Sequence, residues 1–124
     1  MSDNAALRSG LFKTAAILSL LSTAGHIKMG LDEIYPQFKA LQNPRARRAA
    51  HNGWDYINVT MLLSALLNWQ WAKKAPESLE DKGMLAVLAV GGAFMGFRYG
   101  AVGEWRPIVT YWGIPTIAIA ATLL

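Results

Sequence analysis

The sequence contains no cysteine and only two histidines, His26 and His51. The absence of cysteine excludes disulfides, thiolate metal sites and a cysteine nucleophile, and it leaves the redox compartment open. Two histidines are too few for a multi-histidine iron or copper site. A mixed site of both histidines with Glu33 and Asp55 is conceivable, but it lacks the spacing that places two histidine ligands on one helical face. We therefore expect no metal.

Charged residues are also scarce, at 16% of the chain against about 25% in an average protein. The net charge of +4 is small and dispersed. Its densest cluster (Arg45, Arg47 and Arg48) suits lipid headgroups better than nucleic acid. The sequence contains no phosphate-binding glycine loop, dinucleotide fingerprint or flavin motif. We therefore expect no cofactor and no nucleic-acid partner.

Four apolar segments divide the chain, at about residues 11–30, 56–72, 83–100 and 107–124. Each is roughly 15–20 residues long, near the shorter limit for a helix that crosses a membrane. The segments are apolar all round rather than along one stripe, which argues against the alternative of a water-soluble helical bundle. The sequence therefore predicts an all-α, polytopic membrane protein with one domain over residues 1–124, folded as a four-transmembrane-helix bundle.

Polar stretches and prolines mark the boundaries of these segments. Pro36–Asn52 and Lys73–Lys82 are predicted to connect the spans, and Pro107 suits the first turn of a helix. Pro115 is predicted to kink the fourth helix or to be compensated by a neighbour. The first segment lacks the basic leading region of a secretory signal, so we predict that it is a retained membrane span. We expect a multi-pass integral membrane protein, of the endoplasmic reticulum if eukaryotic.

An even number of spans places both ends of the chain on one side of the membrane. The stretches around residues 36–53 and 100–106 then share the other side, and the basic residues are too evenly distributed to orient the protein. Trp69 and Trp71, just before two lysines, are predicted to lie at one membrane interface.

Three glycines of the third segment (Gly92, Gly96 and Gly100) recur every four residues, so they share one helical face. Such a face lets another backbone approach closely, which is how helices associate in lipid. We predict a helix-packing face. The alternative is a gap that admits a ligand.

A polar seam runs along the first segment at helical spacings of three and four. Its members are Ser19, Ser22, Thr23, His26, Gly30 and Glu33. His26 is a candidate general acid/base or substrate hydrogen-bonding group, because imidazole suits proton transfer near neutral pH. The alternative is a satisfied polar contact between helices. A Ser22 nucleophile activated by His26 is weaker, since serines in spanning helices usually bond to their own backbone. Lys28 and Asp32, one turn apart on another face, are predicted to form an exposed ion pair.

The start of the second segment places His51, Asp55 and Asn58 on one helical face. Asp55 is a candidate catalytic acid or base, or the group that orients an imidazole. The alternative is a first-turn carboxylate that complements the positive end of the helix. Asn58 lies deeper, needs a hydrogen-bond partner in the bundle and is a candidate substrate-binding residue.

Further candidates lie between the third and fourth segments. Arg98 with Tyr99 is predicted to bind a carboxylate, phosphate or phenolate of the substrate, with Glu104 beside it. The alternative is an ion pair of Arg98 with Asp55 or Glu104. Trp112 is a candidate for stacking on a flat apolar ligand, although packing against lipid or the core competes with this role.

The segment Ala24–Gly30 (AGHIKMG), followed by Tyr35 and Pro36, resembles the first helix of small four-helix proteins of the DoxX-like type. The overall size resembles membrane proteins of fungal biosynthetic gene clusters. The second resemblance implies a part in making a lipophilic natural product at the membrane. Neither resemblance assigns a role to a residue.

These observations lead to one main hypothesis and one alternative from another class. The main hypothesis is a membrane-embedded, cofactor-free acid/base enzyme (an isomerase, cyclase or oxidase) that acts on a lipophilic small molecule. His26 and Asp55 would be catalytic. The alternative is a non-catalytic accessory subunit or scaffold of a larger membrane complex. The expected partners are the lipid bilayer, the small-molecule substrate, and either a second copy of the chain or a membrane-enzyme partner.

Overall fold

The computed structural model describes residues 3–124 and contains four helices. They are α1 (Asp3–Phe38), α2 (Pro44–Lys73), α3 (Leu79–Gly100) and α4 (Val109–Thr122). No strand occurs among the described residues. The chain is therefore all-α over the described residues, and each predicted apolar segment lies largely within one helix, in the predicted order.

The predicted connection over Pro36–Asn52 is wrong, because most of it is helical. Helix α1 continues to Phe38 and α2 already begins at Pro44. Asn43 caps α2, with its side-chain oxygen accepting hydrogen bonds from the N–H groups of the second and third following residues at 2.9 and 3.3 Å. Asp55 consequently lies about three turns inside α2, so its interpretation as a first-turn carboxylate is also wrong.

Helices α1 and α4 each contain one π-helical turn that ends two residues before a proline. The turns are Gly30–Ile34, before Pro36, and Val109–Gly113, before Pro115. A proline inside a helix lacks the N–H of the normal hydrogen bond, and its ring collides with the carbonyl of the preceding turn. The wider turn accommodates this loss, and both helices continue through their prolines.

Contacts between the helices follow the order α2, α1, α4, α3. Helix α1 packs along α2 and against α4, while α3 packs against α4. Helices α2 and α3 hardly touch, although they are consecutive in the chain. The side of the bundle between α2 and α3 is therefore open.

A compact apolar cluster closes the end of the bundle where α2 stops and α3 begins. Trp71 is only 1% exposed and packs on Phe12, with 5.9 Å between ring centroids. Its indole N–H donates a hydrogen bond to Asp81 at 2.8 Å. The indole of Trp71 is thus enclosed within this end of the bundle, whereas Trp69 is 45% exposed. An aromatic ring with one polar N–H suits either environment, so the residue type does not distinguish them.

Large apolar side chains cover the outside of all four helices. Leu66 of α2 is 67% exposed and Val90 of α3 is 71% exposed. Helices α1 and α3 are long and apolar enough to cross a membrane by length and composition. Only 17% of the residues in the most apolar stretch of α3 are buried. This helix is therefore apolar on the faces that it turns away from the protein.

Candidate functional site

The antiparallel course of the helices brings the candidate site residues to one end of the bundle. This polar end is formed by the last turns of α1 and α3 and by the first half of α2 with the start of α4. His26, Asp55 and Asn58 lie on the α1–α2 side. Arg98 and Glu104 lie on the α3–α4 side.

His26 is held between α1 and α2 by two contacts. Its Nδ1 lies 2.9 Å from Oδ1 of Asn58, and its ring stacks on Trp54 with centroids 4.0 Å apart and planes at 13°. The indole fits against Gly30, where a Cβ atom would come within 2.5 Å of the indole nitrogen. The imidazole is therefore fixed in both position and orientation.

The hydrogen bond to Asn58 also sets the tautomer of His26. Because Oδ1 can only accept, Nδ1 carries the hydrogen and Nε2 carries the free lone pair. Nε2 is buried and has no hydrogen-bond partner among the described residues. Buried acceptors are normally hydrogen-bonded. Nε2 is thus an acceptor that the described residues leave unsatisfied.

Asp55 lies about one turn before Asn58 in α2, and it contacts Tyr35 rather than His26. The Tyr35 hydroxyl donates a hydrogen bond to the Asp55 carboxylate. This bond, with a smaller contribution from burial, raises the pKa of Tyr35 above its ordinary value. His51 stacks on the Tyr35 ring at 5.0 Å and meets Phe38 edge-on at 5.1 Å. The three α2 residues of the predicted face all contact α1, but Asp55 makes no hydrogen bond to either imidazole.

An ion-pair network that the spacing of charges in the sequence does not reveal connects α1 to the start of α4. The Arg106 guanidinium lies 2.7 Å from Glu33 and 2.6 Å from Glu104. Both the side chain and the backbone N–H of Arg106 bond to Glu104, and these bonds lower the pKa of Glu104 to about 2. Glu104, a predicted substrate-binding residue, therefore holds Arg106. Glu33 and Arg106 are 73 positions apart, so only the packing of α1 against α4 reveals their pairing.

The network predicts a pH-dependent contribution to stability. A depressed carboxyl pKa stabilises the fold fully above the ordinary value of 4.5, and this contribution disappears as the pH falls towards 2. We expect Glu104→Gln to lower the melting temperature at pH 7, and the difference from wild type to shrink steadily below pH 4.5. Thermal unfolding followed by tryptophan fluorescence measures the melting temperatures of both proteins at each pH. Glu77→Gln, in the α2–α3 connection, is the control, and a difference for Glu104→Gln that does not change with pH would contradict the network.

Arg98 takes neither of the ion-pair partners considered for it. Its guanidinium lies over the Phe94 ring, 5.6 Å from the centroid, and no ion pair with Asp55 or Glu104 is seen in the described part of the chain. This geometry is a cation–π contact within α3. Arg98 is exposed.

The glycine face of α3 lies against α4. A Cβ atom at Gly92 would overlap the backbone carbonyl oxygen of Tyr111, and one at Gly96 would overlap the Trp112 indole. The indole N–H also points to the carbonyl of Ala93, at 3.4 Å. At Gly100 a Cβ atom would touch the Trp105 ring at 3.3 Å. Trp112 is thus packed against α3, and the glycines allow this close approach.

A polar cavity of about 350 Å³ lies between α1 and the start of α4. Among its lining residues are Ser22, His26, Met29, Glu33, Arg106 and Thr110. At its margin, Lys28 and Asp32 form the predicted exposed ion pair, at 2.5 Å. The cavity therefore combines a fixed imidazole, hydroxyl groups and a guanidinium with apolar thioether walls.

The polar end offers no cluster suited to a metal ion. Within residues 3–124, no three histidine, aspartate or glutamate side chains lie close enough together to hold one. His26 and His51 occupy separate aromatic stacks, on Trp54 and Tyr35 respectively. The chemistry that the cavity supports directly is hydrogen bonding and proton transfer.

Comparison with known proteins adds no further assignment. No protein family, curated protein or solved structure matches the chain. The geometry of the polar end is therefore the basis for a functional proposal.

Proposed function

We propose that this protein is a four-span integral membrane protein that carries out acid/base chemistry on a lipophilic small molecule without a cofactor. One observation carries the proposal. The His26 imidazole is locked by Asn58 and Trp54, and its free Nε2 belongs to the side chain that lines the polar cavity. Fixing a base before the substrate arrives is how enzymes lower the cost of proton transfer.

The exposed surface supports the membrane part of the proposal. The stretches 14–27, 56–72, 83–97 and 107–124 contain no aspartate, glutamate, lysine or arginine. Each stretch lies largely within one helix, and large apolar side chains on all four helices face outwards. A water-soluble bundle turns its polar faces outwards. Apolar outer faces with charges confined to the two ends fit a hydrocarbon environment instead.

The absence of cysteine makes the four-span topology directly testable. We expect Gln42→Cys and Val102→Cys, in the α1–α2 and α3–α4 connections, to react with an impermeant maleimide from one side of sealed vesicles. Glu77→Cys, between α2 and α3, is expected to react only from the opposite side. Leu66→Cys, near the middle of the apolar stretch 56–72 of α2, is the control and should react only after detergent is added. Reaction of all three connections from the same side would contradict the topology.

The reaction class follows from the groups at the cavity. A neutral imidazole with a free lone pair takes a proton, and the imidazolium then returns one at another atom. Isomerisation and cyclisation balance with such a proton transfer alone. Oxidation needs an oxidant in addition, so it is not part of the proposal. The methionine walls fit a lipophilic substrate.

We expect His26→Phe, which keeps a ring on Trp54 but removes the base, to reduce turnover about 100-fold or more. The measurement compares lipophilic extracts of cells that lack the gene with extracts of cells complemented by each variant. Loss of one product with accumulation of its precursor is the expected pattern for His26→Phe. His51→Phe replaces the other histidine, outside the cavity, and should restore the product. Full restoration of the product by His26→Phe would overturn the acid/base proposal.

The open side of the bundle favours one second candidate, a non-catalytic subunit of a larger membrane complex. Helix α3 contacts α4 but hardly touches α2, and most of its apolar surface faces outwards. Crosslinking in intact membranes followed by purification in detergent tests this candidate. A stable complex with a larger protein, together with full function of His26→Phe, would favour the accessory role over the enzyme.

A further inference from the structure

A second cavity of about 330 Å³ lies where α2 and α3 diverge. Its walls are mainly apolar and include Leu85, Leu88, Gly91, Ile114 and Ala118. Met61 and Thr110 line this apolar cavity and also the polar cavity at His26, so the two are adjacent. Its volume lies at the lower end of the range of about 300–1,000 Å³ for small-molecule sites.

Asn68 is fully buried and lines the apolar cavity, together with the buried side chains of Ser19 and Ser64. Its amide nitrogen donates to the Ser64 carbonyl at 2.8 Å, an arrangement that fixes which end of the amide is nitrogen. The Ser64 and Ser19 hydroxyls lie 3.3 Å apart, and Ser19 donates to the Ala15 carbonyl at 2.9 Å. Ser64 must then donate to Ser19.

These bonds use the hydroxyl hydrogens of both serines and leave one strong acceptor free. Oδ1 of Asn68 has no hydrogen-bond partner among the described residues, although the side chain is completely buried. Buried polar atoms in proteins are nearly always bonded. An acyl chain has no O–H or N–H group with which to donate a hydrogen bond. A hydroxyl on an otherwise apolar molecule would donate to Oδ1 and would also fit the mainly apolar walls.

We propose that this cavity is a binding site for a lipophilic alcohol whose hydroxyl donates to Oδ1 of Asn68. The apolar body of the molecule would occupy the space between α2, α3 and α4. The gap between α2 and α3 would admit it from the surrounding apolar phase. This site is separate from the acid/base chemistry proposed at His26 and does not depend on it.

The wild-type protein alone provides the first test. The probe is tritiated farnesol, an apolar C15 alcohol, bound to purified protein in detergent, with unlabelled farnesol or its methyl ether as the competitor. The ether has the same apolar body but no hydrogen to donate. We expect farnesol to compete about 3- to 10-fold more strongly than the ether, the effect of one hydrogen bond. Equal competition would show that the cavity takes apolar chains without regard to the hydroxyl and would overturn the proposal.

Three variants locate the site. Asn68→Leu removes the acceptor at similar size, so farnesol and its ether should compete equally. Gly91→Phe places a ring at a cavity-lining position where a Cβ meets no neighbouring atom, and it should abolish binding of both. His26→Phe should bind farnesol as the wild type does, which separates this site from the proposed catalytic one. Retained discrimination in Asn68→Leu, or retained binding in Gly91→Phe, would overturn the assignment. If Asn68→Leu does not fold, the competition between farnesol and its ether in the wild type, together with the loss of binding in Gly91→Phe, still tests the proposed site.

Discussion

Replacing Trp71 by alanine is expected to destabilise the protein by about 3–5 kcal/mol, because it removes a large side chain from a closed cluster. Trp71 is almost completely buried and packs on Phe12. It also joins α2 to α3 through its hydrogen bond to Asp81. Helices α2 and α3 hardly touch elsewhere, so this bond is a main link between them. Thermal unfolding in detergent, followed by circular dichroism, measures the loss.

Two further variants separate packing from the hydrogen bond. Trp71→Phe keeps an aromatic ring and should cost less than Trp71→Ala. Asp81→Asn weakens the bond from the other side, since the indole lowers the pKa of Asp81 and so favours its ionised form. Trp71→Phe and Asp81→Asn both act on the same hydrogen bond. The double variant should therefore lose clearly less stability than the sum of the losses in the two single variants.

Trp69→Ala is the matched control for position on the helix. Trp69 lies two residues before Trp71 but on the outer face of α2. Its replacement is expected to change stability by less than about 1 kcal/mol. Equal losses at Trp69 and Trp71 would contradict the placement of Trp71 in the core.

The helix content and order could be predicted from hydropathy because each helix contains a long, mainly apolar stretch without aspartate, glutamate, lysine or arginine. The extensions of α1 and α2 could not be predicted in this way, since the added turns are polar. The signal for the start of α2 was present in another form. Asn43 followed by Pro44 is a typical helix start, and alanine and arginine, which dominate the following turns, favour helix.

The candidate site was predictable along each helix but not between helices. Spacing placed His26 on a polar seam of α1 and Asn58 on a polar face of α2, and these two residues form a hydrogen bond. Which α2 residue meets His26 depends on how the two helices are aligned along their axes. Spacing within one helix does not contain this information. For the same reason Asp55 was considered as the partner of an imidazole, although it bonds to Tyr35.

The pairing of Glu33 with Arg106 and the burial of Trp71 also depend on how the helices pack against one another, which spacing within one helix does not predict. Both follow from α1 being the central helix, in contact with α2 and α4. A hydropathy pattern distinguishes apolar helices from polar connections, but it does not rank the helices by the number of their neighbours. Arg98 likewise lies at the predicted end of the bundle, yet the ring under its guanidinium, Phe94, is on its own helix.

Adding one methyl group at Gly92 is expected to destabilise the protein by about 1–3 kcal/mol, the usual cost of overpacking. The added Cβ atom would overlap the carbonyl oxygen of Tyr111, which belongs to the backbone and has no rotamer with which to move aside. Pro115, four residues later, supplies no N–H to this carbonyl. Helices α3 and α4 would have to separate, and the indole of Trp112 would lose its position on Gly96. Thermal unfolding followed by tryptophan fluorescence measures the effect.

The adjacent glycine provides a control of opposite sign. A Cβ atom at Gly91 meets no neighbouring atom, so Gly91→Ala should stabilise α3 by up to about 1 kcal/mol through the higher helix propensity of alanine. The same gain applies at Gly92 and is outweighed there only if the close contact with α4 exists. Two alanine variants one position apart in one helix should therefore shift the melting temperature in opposite directions. Stabilisation by both alanine variants would mean that α3 does not pack on α4 through Gly92.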